Sequence, residues 1–354
     1  MQQFKLFFFF LAAVSSLALT SCTKDETPVA SNGSVYVLNQ GTMNYNNSTV
    51  TSYNIDKATS TIDWYKAQNG VGLGDTGNDM AVYGGKIYIV VNVSSVLTVT
   101  DLNGKFLKTI SFQNGSSARQ PRCIAFNKNK AYVCSFDGSV ARIDTTSLSI
   151  EAYATAGENP DGICVANNNL YVSNSGGMNY MTGNYGTTVS VINISSFTET
   201  QKITVNMNPF TIHTGDDGNV YVLSHGNYGS IGSEIQMINP QTNTVAKTYD
   251  NSSAADFALS GSKLFFCNYD YAAKASVIKV MDVSTGAISN FITDGTTVPS
   301  ASSIAVNPSN GDVYVTSSAA DYVSNGTVYC FGSTGKLKFS FASGVNPWKV
   351  VFVR

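Results

Sequence analysis

Short runs of alternating apolar and polar residues recur along the chain at regular intervals. One copy reads "GICVANNNLYVSN" (162–174), in which an apolar run, an Asn-rich turn and a second run centred on Tyr171 follow one another. Alternation with a period of two predicts β-strands, and the short turn predicts a hairpin. The central aromatic residue recurs at spacings of 39 to 52 residues, at Tyr36, Tyr88, Tyr132, Tyr171, Tyr221, Phe265 and Tyr314.

Each repeat continues with two further short strands, as in "TTVSVINISSF" (187–197) followed by "TETQKITV" (198–205). Four strands per repeat, seven repeats and no helical periodicity anywhere predict an all-β fold, a seven-bladed β-propeller over residues 34–354. The first repeat lacks a strand before it, whereas the chain ends with an unpaired strand, "NPWKVVFV" (346–353). We therefore expect the C-terminal strand to close the ring by pairing into the first blade.

The loops of the predicted propeller differ between its two faces. The turns between first and second strands are short and polar, which is typical of hairpins with a structural role only. The loops that follow the Tyr-centred strands (39–48, 174–187, 224–233, 268–275 and 317–326) are long and rich in Tyr, Asn, Gly and Met, a composition that suits ligand contacts. We call the face formed by these loops and the inter-blade connections the functional rim. Its predicted ligand-binding loop residues are Tyr45, Tyr180, Tyr185, His225, Tyr228, Tyr269, Tyr271 and Tyr322.

The residues that follow strand-initiating prolines are also candidates for the site. They are Arg122, Asp161, Phe210 and Trp348, and we expect them to surround the mouth of the axial channel. Two interpretations remain open for them. They contact a ligand, or they cap the channel among themselves, with Arg122 paired to an aspartate.

Composition excludes some classes of function. Charged residues make up only 12% of the chain and the net charge is −2, so nucleic acid is not an expected partner. His213 lies at the end of an inner strand and is interpreted as structural, and His225 has no obvious carboxylate partner nearby in sequence. We therefore predict no catalytic residue, although a propeller lyase stays a less favoured alternative. Acidic rim residues would hold a cation only if they met across blades, and we predict neither a metal site nor a cofactor. These residues are Asp79, Asp137, Asp161, Asp256, Asp270 and Asp321.

The N-terminus has the features of an export signal. Lys5 precedes an apolar run that ends in "LTSC", which resembles a bacterial lipobox with Cys22 as the lipidated residue. Residues 1–21 are thus predicted to be a lipoprotein signal peptide, and residues 22–33 a lipidated Cys and surface linker. The "KDE" of this linker resembles the acidic tag of surface-exposed lipoproteins in Bacteroidota-type outer membranes. We expect an outer-membrane protein that is anchored by lipid only and exposed at the cell surface.

The other five cysteines lie within apolar strands and lack the spacing of a metal site or a disulfide framework. Cys123 and Cys134 are symmetric about the "NKNK" turn and are expected to face each other across a hairpin. The sequence leaves open whether these two form a disulfide.

The motifs "YVSN" (171–174) and "YVTS" (314–317) resemble those of the YVTN family of β-propeller repeats, and residues 34–354 resemble YncE-like surface proteins. The lipobox, the "NQG" loop (39–41) and "LGD" (73–75) are similar to BtuG-type lipoproteins, which capture cobalamin and pass it to a TonB-dependent transporter. This resemblance implies capture of a small molecule, with cobalamin as the leading candidate and a TonB-dependent transporter as a partner. A glycan ligand and a protein-binding or surface-layer-like role remain alternatives.

Overall fold

The computed structural model describes residues 33–249, 252–270 and 274–353, in which seven four-stranded antiparallel sheets are formed. Blade 1 contains β1 (Ser34–Asn39), β2 (Thr49–Asn54), β3 (Thr59–Thr61) and β30 (Pro347–Val353). Blade 2 contains β4 (Gly77–Tyr83), β5 (Lys86–Val91), β6 (Val96–Asp101) and β7 (Phe106–Ser111). Blade 3 contains β10 (Pro121–Asn127), β11 (Lys130–Ser135), β12 (Ser139–Asp144) and β13 (Ser149–Thr155).

The remaining blades repeat this arrangement. Blade 4 contains β14 (Pro160–Ala166), β15 (Asn169–Asn174), β16 (Thr188–Asn193) and β17 (Thr198–Thr204). Blade 5 contains β18 (Pro209–Thr214), β19 (Val220–Ser224), β20 (Glu234–Asn239) and β21 (Thr244–Tyr249). Blade 6 contains β22 (Asp256–Ser260), β23 (Lys263–Asp270), β24 (Ala275–Asp282) and β25 (Ile288–Asn290). Blade 7 contains β26 (Ala301–Val306), β27 (Val313–Ser317), β28 (Asn325–Phe331) and β29 (Leu337–Val345). A small hairpin of β8 (Gln113–Asn114) and β9 (Ser117–Ala118) lies between blades 2 and 3.

The C-terminal strand closes the ring, which confirms the predicted fold. β30 pairs antiparallel with β1, with Val37 opposite Val350 and Ser34 opposite Val353. β30 also packs against β26 and β4, the inner strands of the neighbouring blades. Because β30 begins at the functional rim, its far end at Val353 and the adjacent Ser34 lie on the opposite face.

The hydrophobic core consists of layers between adjacent blades. Tyr88, Tyr132, Tyr171, Tyr221 and Tyr314, the central residues of their repeats, are all fully buried. Tyr171, for example, packs in one cluster with residues of its own blade and of blade 5. No blade buries its apolar faces alone, so the ring of blades supplies the core that a single sheet lacks.

The asparagine of the repeat motif has a structural role. Asn174 is buried, and its Oδ1 accepts a hydrogen bond from the backbone N–H of Gly157 at 2.9 Å. Its Nδ2 donates to the hydroxyls of Thr188 and Ser190 at 3.0 and 2.9 Å. Asn39 makes the same kinds of contact in blade 1. The side chain thus ties the incoming inter-blade connection to the third strand of the blade.

One short α-helix accompanies the strands of the all-β fold. Helix α1 (Trp64–Asn69) follows the short strand β3, and Asp63 caps it by accepting a hydrogen bond from the backbone N–H of Lys66. The ring of Trp64 stacks on Tyr36 at 4.2 Å and fills the groove between blades 1 and 2. A six-residue helix is too short to show the periodicity by which helices are recognised. Within the described residues, no helix is long and apolar enough to cross a membrane.

The cysteines of the propeller are free thiols. A bulge between Pro121 and Ile124 shifts the register of β10 against β11. Cys134 and Cys123 form no disulfide with each other, and the Cys134 thiol donates a hydrogen bond to the carbonyl oxygen of Cys123 at 3.7 Å. Burial raises the pKa of the Cys134 thiol to about 12, so this group stays protonated and unreactive.

Candidate functional site: the mouth of the axial channel

The seven inner strands enclose an axial channel with a cavity volume of about 540 Å³. Each inner strand begins at the functional rim, so its first residues surround the channel mouth. The deeper wall is largely aliphatic and includes Ile163, Ile212, Ile304 and Val350. The candidate residues Arg122, Asp161, Phe210 and Trp348 all line this channel, as placed by the proline-initiated strands.

A belt of polar contacts joins adjacent blades at the channel mouth. The Arg122 guanidinium forms an ion pair with Asp161, with 2.5 Å between Nη2 and Oδ1, and also donates to the side chain of Asn78. Asp161 is further held by the hydroxyl of Ser175 at 2.6 Å. This geometry bears out the interpretation in which Arg122 pairs with an aspartate.

Lys349 and Asp79 form a second ion pair in the channel, with 3.2 Å between Nζ and Oδ1. The carboxylate of Asp79 raises the pKa of the Lys349 ammonium, which therefore stays charged. Asp79 also accepts the backbone N–H of Ile124 in the next blade. About one third (34%) of the Lys349 side chain remains accessible from the channel.

Asp256 links three blades through its carboxylate. It accepts hydrogen bonds from the hydroxyls of Thr211 and Ser303 at 2.9 and 2.6 Å and from the backbone N–H of Ile304. Burial raises the pKa of the Asp256 carboxyl, against the opposing effect of these donors. Its oxygens are therefore occupied by groups of the propeller itself.

An aromatic cluster lies next to this belt. Phe210 stacks on the imidazole of His225 at 4.7 Å and meets the ring of Trp348 edge-on at 6.5 Å. The guanidinium of Arg122 packs over the ring of Phe136, 4.4 Å from the ring centre. Rings and guanidinium together form a half-buried apolar surface around the mouth.

His225 is fixed as a neutral ring within this cluster. Its Nε2 lies 3.0 Å from the carbonyl oxygen of Ala255 and must donate, so Nδ1 accepts from the Tyr228 hydroxyl at 3.2 Å. Burial lowers the pKa of the imidazole, which favours this neutral form. Tyr228 also receives a hydrogen bond from Asn208 and contacts Tyr185 edge-on at 6.0 Å. The structure thus brings five predicted residues into one cluster, namely Tyr185, Phe210, His225, Tyr228 and Trp348.

Other predicted rim residues stand apart from the cluster. The side chains of Tyr45, Tyr180 and Tyr322 are 71%, 64% and 57% exposed, and in the described part of the chain they make no ring contact with it. Tyr269 lies in β23 with 37% of its surface exposed. Tyr271 and Cys22 lie outside the described residues.

The long loop of blade 4 leaves the sheet through a narrow neck. Gly176 has a φ of 60°, and a Cβ on Gly186 would lie 2.0 Å from the carbonyl oxygen of Asn174. Only glycine is accommodated there. Beyond this neck the loop presents Met178, Tyr180 and Met181 to solvent.

Three residues of the channel mouth were missed from the sequence. Phe136 lies in a short loop that shows no aromatic enrichment, and Asn78 and Lys349 are ordinary polar residues beside the predicted positions. The strand-initiating proline Pro347 could have indicated Lys349, because Lys349 directly follows Trp348, the residue predicted from that proline. Among the described residues, no group of three or more His, Cys, Asp or Glu side chains is placed to bind a metal ion.

Comparison with known proteins gives the family and the fold. A family model described as "Domain of unknown function (DUF5074)" matches residues 33–346. No curated protein matches the chain significantly. Similar solved structures include the hydrazine synthase of Kuenenia stuttgartiensis, with a TM-score of 0.58, 15% identity and coverage of 77% of this chain and 92% of that one. The WD40 domain of Neurospora crassa Pan2 has a TM-score of 0.56 and 10% identity, with 77% and 80% of the two chains covered. At such identities the likeness concerns the propeller fold alone.

Proposed function

This chain belongs to the DUF5074 family of domains of unknown function, and we propose that its propeller captures a small molecule or a glycan at the functional rim. The observation that carries the proposal is the aromatic cluster of Phe210, His225, Tyr228 and Trp348 at the channel mouth. Exposed aromatic side chains in fixed positions provide large contact areas at low entropic cost. Hydrogen bonds fix two of these rings, His225 and Tyr228, before any ligand arrives, and such preorganisation favours binding.

The leading candidate ligand is cobalamin, because of the resemblance to BtuG-type lipoproteins. A corrin is a broad ring with amide arms, so aromatic faces and Asn side chains suit it chemically. A glycan is the alternative, since sugars use the same combination of stacking and hydrogen bonds. Binding is a better proposal than lyase chemistry, because both ring nitrogens of His225 are already engaged within the propeller.

We further propose that the protein is anchored by lipid on Cys22 in the outer membrane and exposed at the cell surface. The described propeller starts at Ser34, on the face opposite the functional rim. A tether entering there leaves the rim accessible to ligand and to a TonB-dependent transporter as partner. The exposed Met43, Met181 and Val323 favour a protein-binding role as the second candidate, since large apolar side chains at a rim are typical of interfaces.

Gel filtration with cyanocobalamin tests the proposal. Residues 32–354 are equilibrated with cyanocobalamin, and the visible absorbance of the corrin is followed through the protein peak. Co-elution at one ligand per chain supports corrinoid capture. Its absence removes cobalamin and directs the search to glycans, then to a protein partner found by cross-linking on intact cells. Phe106→Ala is the matched control for a Trp348→Ala variant in this assay, because Phe106 is an exposed aromatic residue on an outer strand away from the rim.

A further inference from the structure

Arg122 and Lys349, the cationic side chains that line the described channel, are both paired with carboxylates of the propeller. Arg122 forms an ion pair with Asp161 and a hydrogen bond with Asn78, and Lys349 forms an ion pair with Asp79. An anionic ligand that approaches the mouth therefore meets a guanidinium and an ammonium group that already have carboxylate partners.

The oxygens of the acidic side chains at this end of the propeller accept hydrogen bonds from neighbouring groups. Asp256 accepts from two hydroxyls and one backbone N–H. On the outer rim, Glu158 accepts a hydrogen bond from Asn179, and Asp321 accepts three from its own loop. A cationic ligand thus finds no carboxylate here that lacks a partner.

The long loops above the mouth carry almost no charge. Residues 40–48, 175–187 and 225–233 contain no Asp, Glu, Lys or Arg, and Lys274 on blade 6 is the one lysine or arginine of the loops that follow the Tyr-centred strands. Burial holds His225, the titratable ring of the cluster, in its neutral form. The surface that would cover a ligand therefore offers aromatic faces, amides and hydroxyls.

We propose that the functional rim is selective for uncharged amphipathic ligands, namely neutral compounds with an apolar face and hydrogen-bonding edges. This inference rests on the proposed binding function and specifies its ligand class. A charged group brought against the cluster loses water without gaining a free counter-ion, because the nearby cations are paired with carboxylates and the oxygens of Asp256 are held by hydrogen-bond donors of the propeller. The affinity for a neutral ligand should be insensitive to salt, because such a ligand has no net charge whose interaction with the rim salt could screen.

Ligand pairs that differ only in charge test the proposal by isothermal titration of the full chain in detergent. The pairs are cyanocobalamin and its monocarboxylic acid derivative, a methyl-esterified oligogalacturonide and its de-esterified form, and chitohexaose and its deacetylated, cationic form. We expect at least one neutral member to bind, about tenfold or more tighter than its charged counterpart. Its affinity should be the same at about 0.05 M and about 0.5 M salt.

Tighter binding of a charged member, with affinity that falls steeply with salt, would overturn the selectivity while leaving the binding function intact. Binding of no probe at all, by a chain that unfolds cooperatively, would count against the proposed function and remove this inference with it. A matched pair of variants provides the gain-of-function control. Met178→Lys places a free cation on the exposed loop of blade 4 and should bring binding of the de-esterified oligogalacturonide, whereas Met178→Gln should not.

Discussion

Substitution of Asn174 by alanine tests whether the motif asparagine holds the blade together. The change removes three hydrogen bonds, to the backbone N–H of Gly157 and to the hydroxyls of Thr188 and Ser190. In this variant the backbone N–H of Gly157 no longer has the side-chain oxygen that accepts its hydrogen bond. At about 1 kcal/mol for each net hydrogen bond, we expect Asn174→Ala to lower the free energy of unfolding by about 3 kcal/mol.

Equilibrium unfolding in urea measures this effect, with the intrinsic fluorescence of Trp64 and Trp348 and circular dichroism as two independent signals. The midpoint should fall while the slope of the transition stays the same, because the area exposed on unfolding does not change. Asn184→Ala is the matched control, since Asn184 is exposed in the following loop, and a change within about 0.5 kcal/mol is expected there. A loss below about 1 kcal/mol for Asn174→Ala would refute the structural role of the motif.

Four further predictions concern the ring, its mouth and its loops. Deletion of residues 345–354 removes β30 and should abolish cooperative unfolding of the whole propeller, so a cooperative melt near the parent temperature would contradict closure by this strand. Trp348→Ala should weaken binding by about 2 kcal/mol, or about thirtyfold, in the titration of any neutral probe that binds. Deletion of residues 177–184 should abolish that binding and leave the melting transition in place, and loss of folding would argue against a loop that serves binding alone. Burial lowers the pKa of the His213 imidazole from 6.5 to about 3 in the folded chain. As the pH falls below 6.5, the unfolded chain therefore binds a proton that the folded chain does not, and the free energy of unfolding should fall. The fall is about 2 kcal/mol between pH 6.5 and pH 5, and His213→Gln should reduce it in urea unfolding at the two pH values.

The fold was predictable because its signal repeats within the sequence. Each blade places an aromatic residue at the same point of its second strand, and an error in reading one copy is corrected by the others. The unpaired strand at 346–353 likewise had one free edge to occupy, that of blade 1. Helix α1 occurs once and spans six residues, so no repetition supported its recognition.

The site was predictable only in part, because its contacts join residues that are distant in the sequence. Arg122 meets Asn78 and Asp161, which lie 44 and 39 residues away, one blade before and one blade after. The proline register placed Arg122 and Asp161 at the channel mouth and left their pairing as an alternative. Phe136 follows β11 in a short loop that shows no aromatic enrichment, so its packing against Arg122 of the same blade was not predicted.

Folding and recognition use different groups at the same end of this propeller. The charges of the mouth, Arg122 with Asp161 and Lys349 with Asp79, join neighbouring blades. A ligand that recruited one of them would weaken a contact between blades, and its affinity would be reduced by the cost of that contact. The exposed loop side chains Tyr45, Tyr180 and Tyr322 are free of this conflict, because they carry no charge and take no part in these ion pairs. A ligand that contacts these loop side chains can therefore be bound without breaking the ion pairs that join the blades.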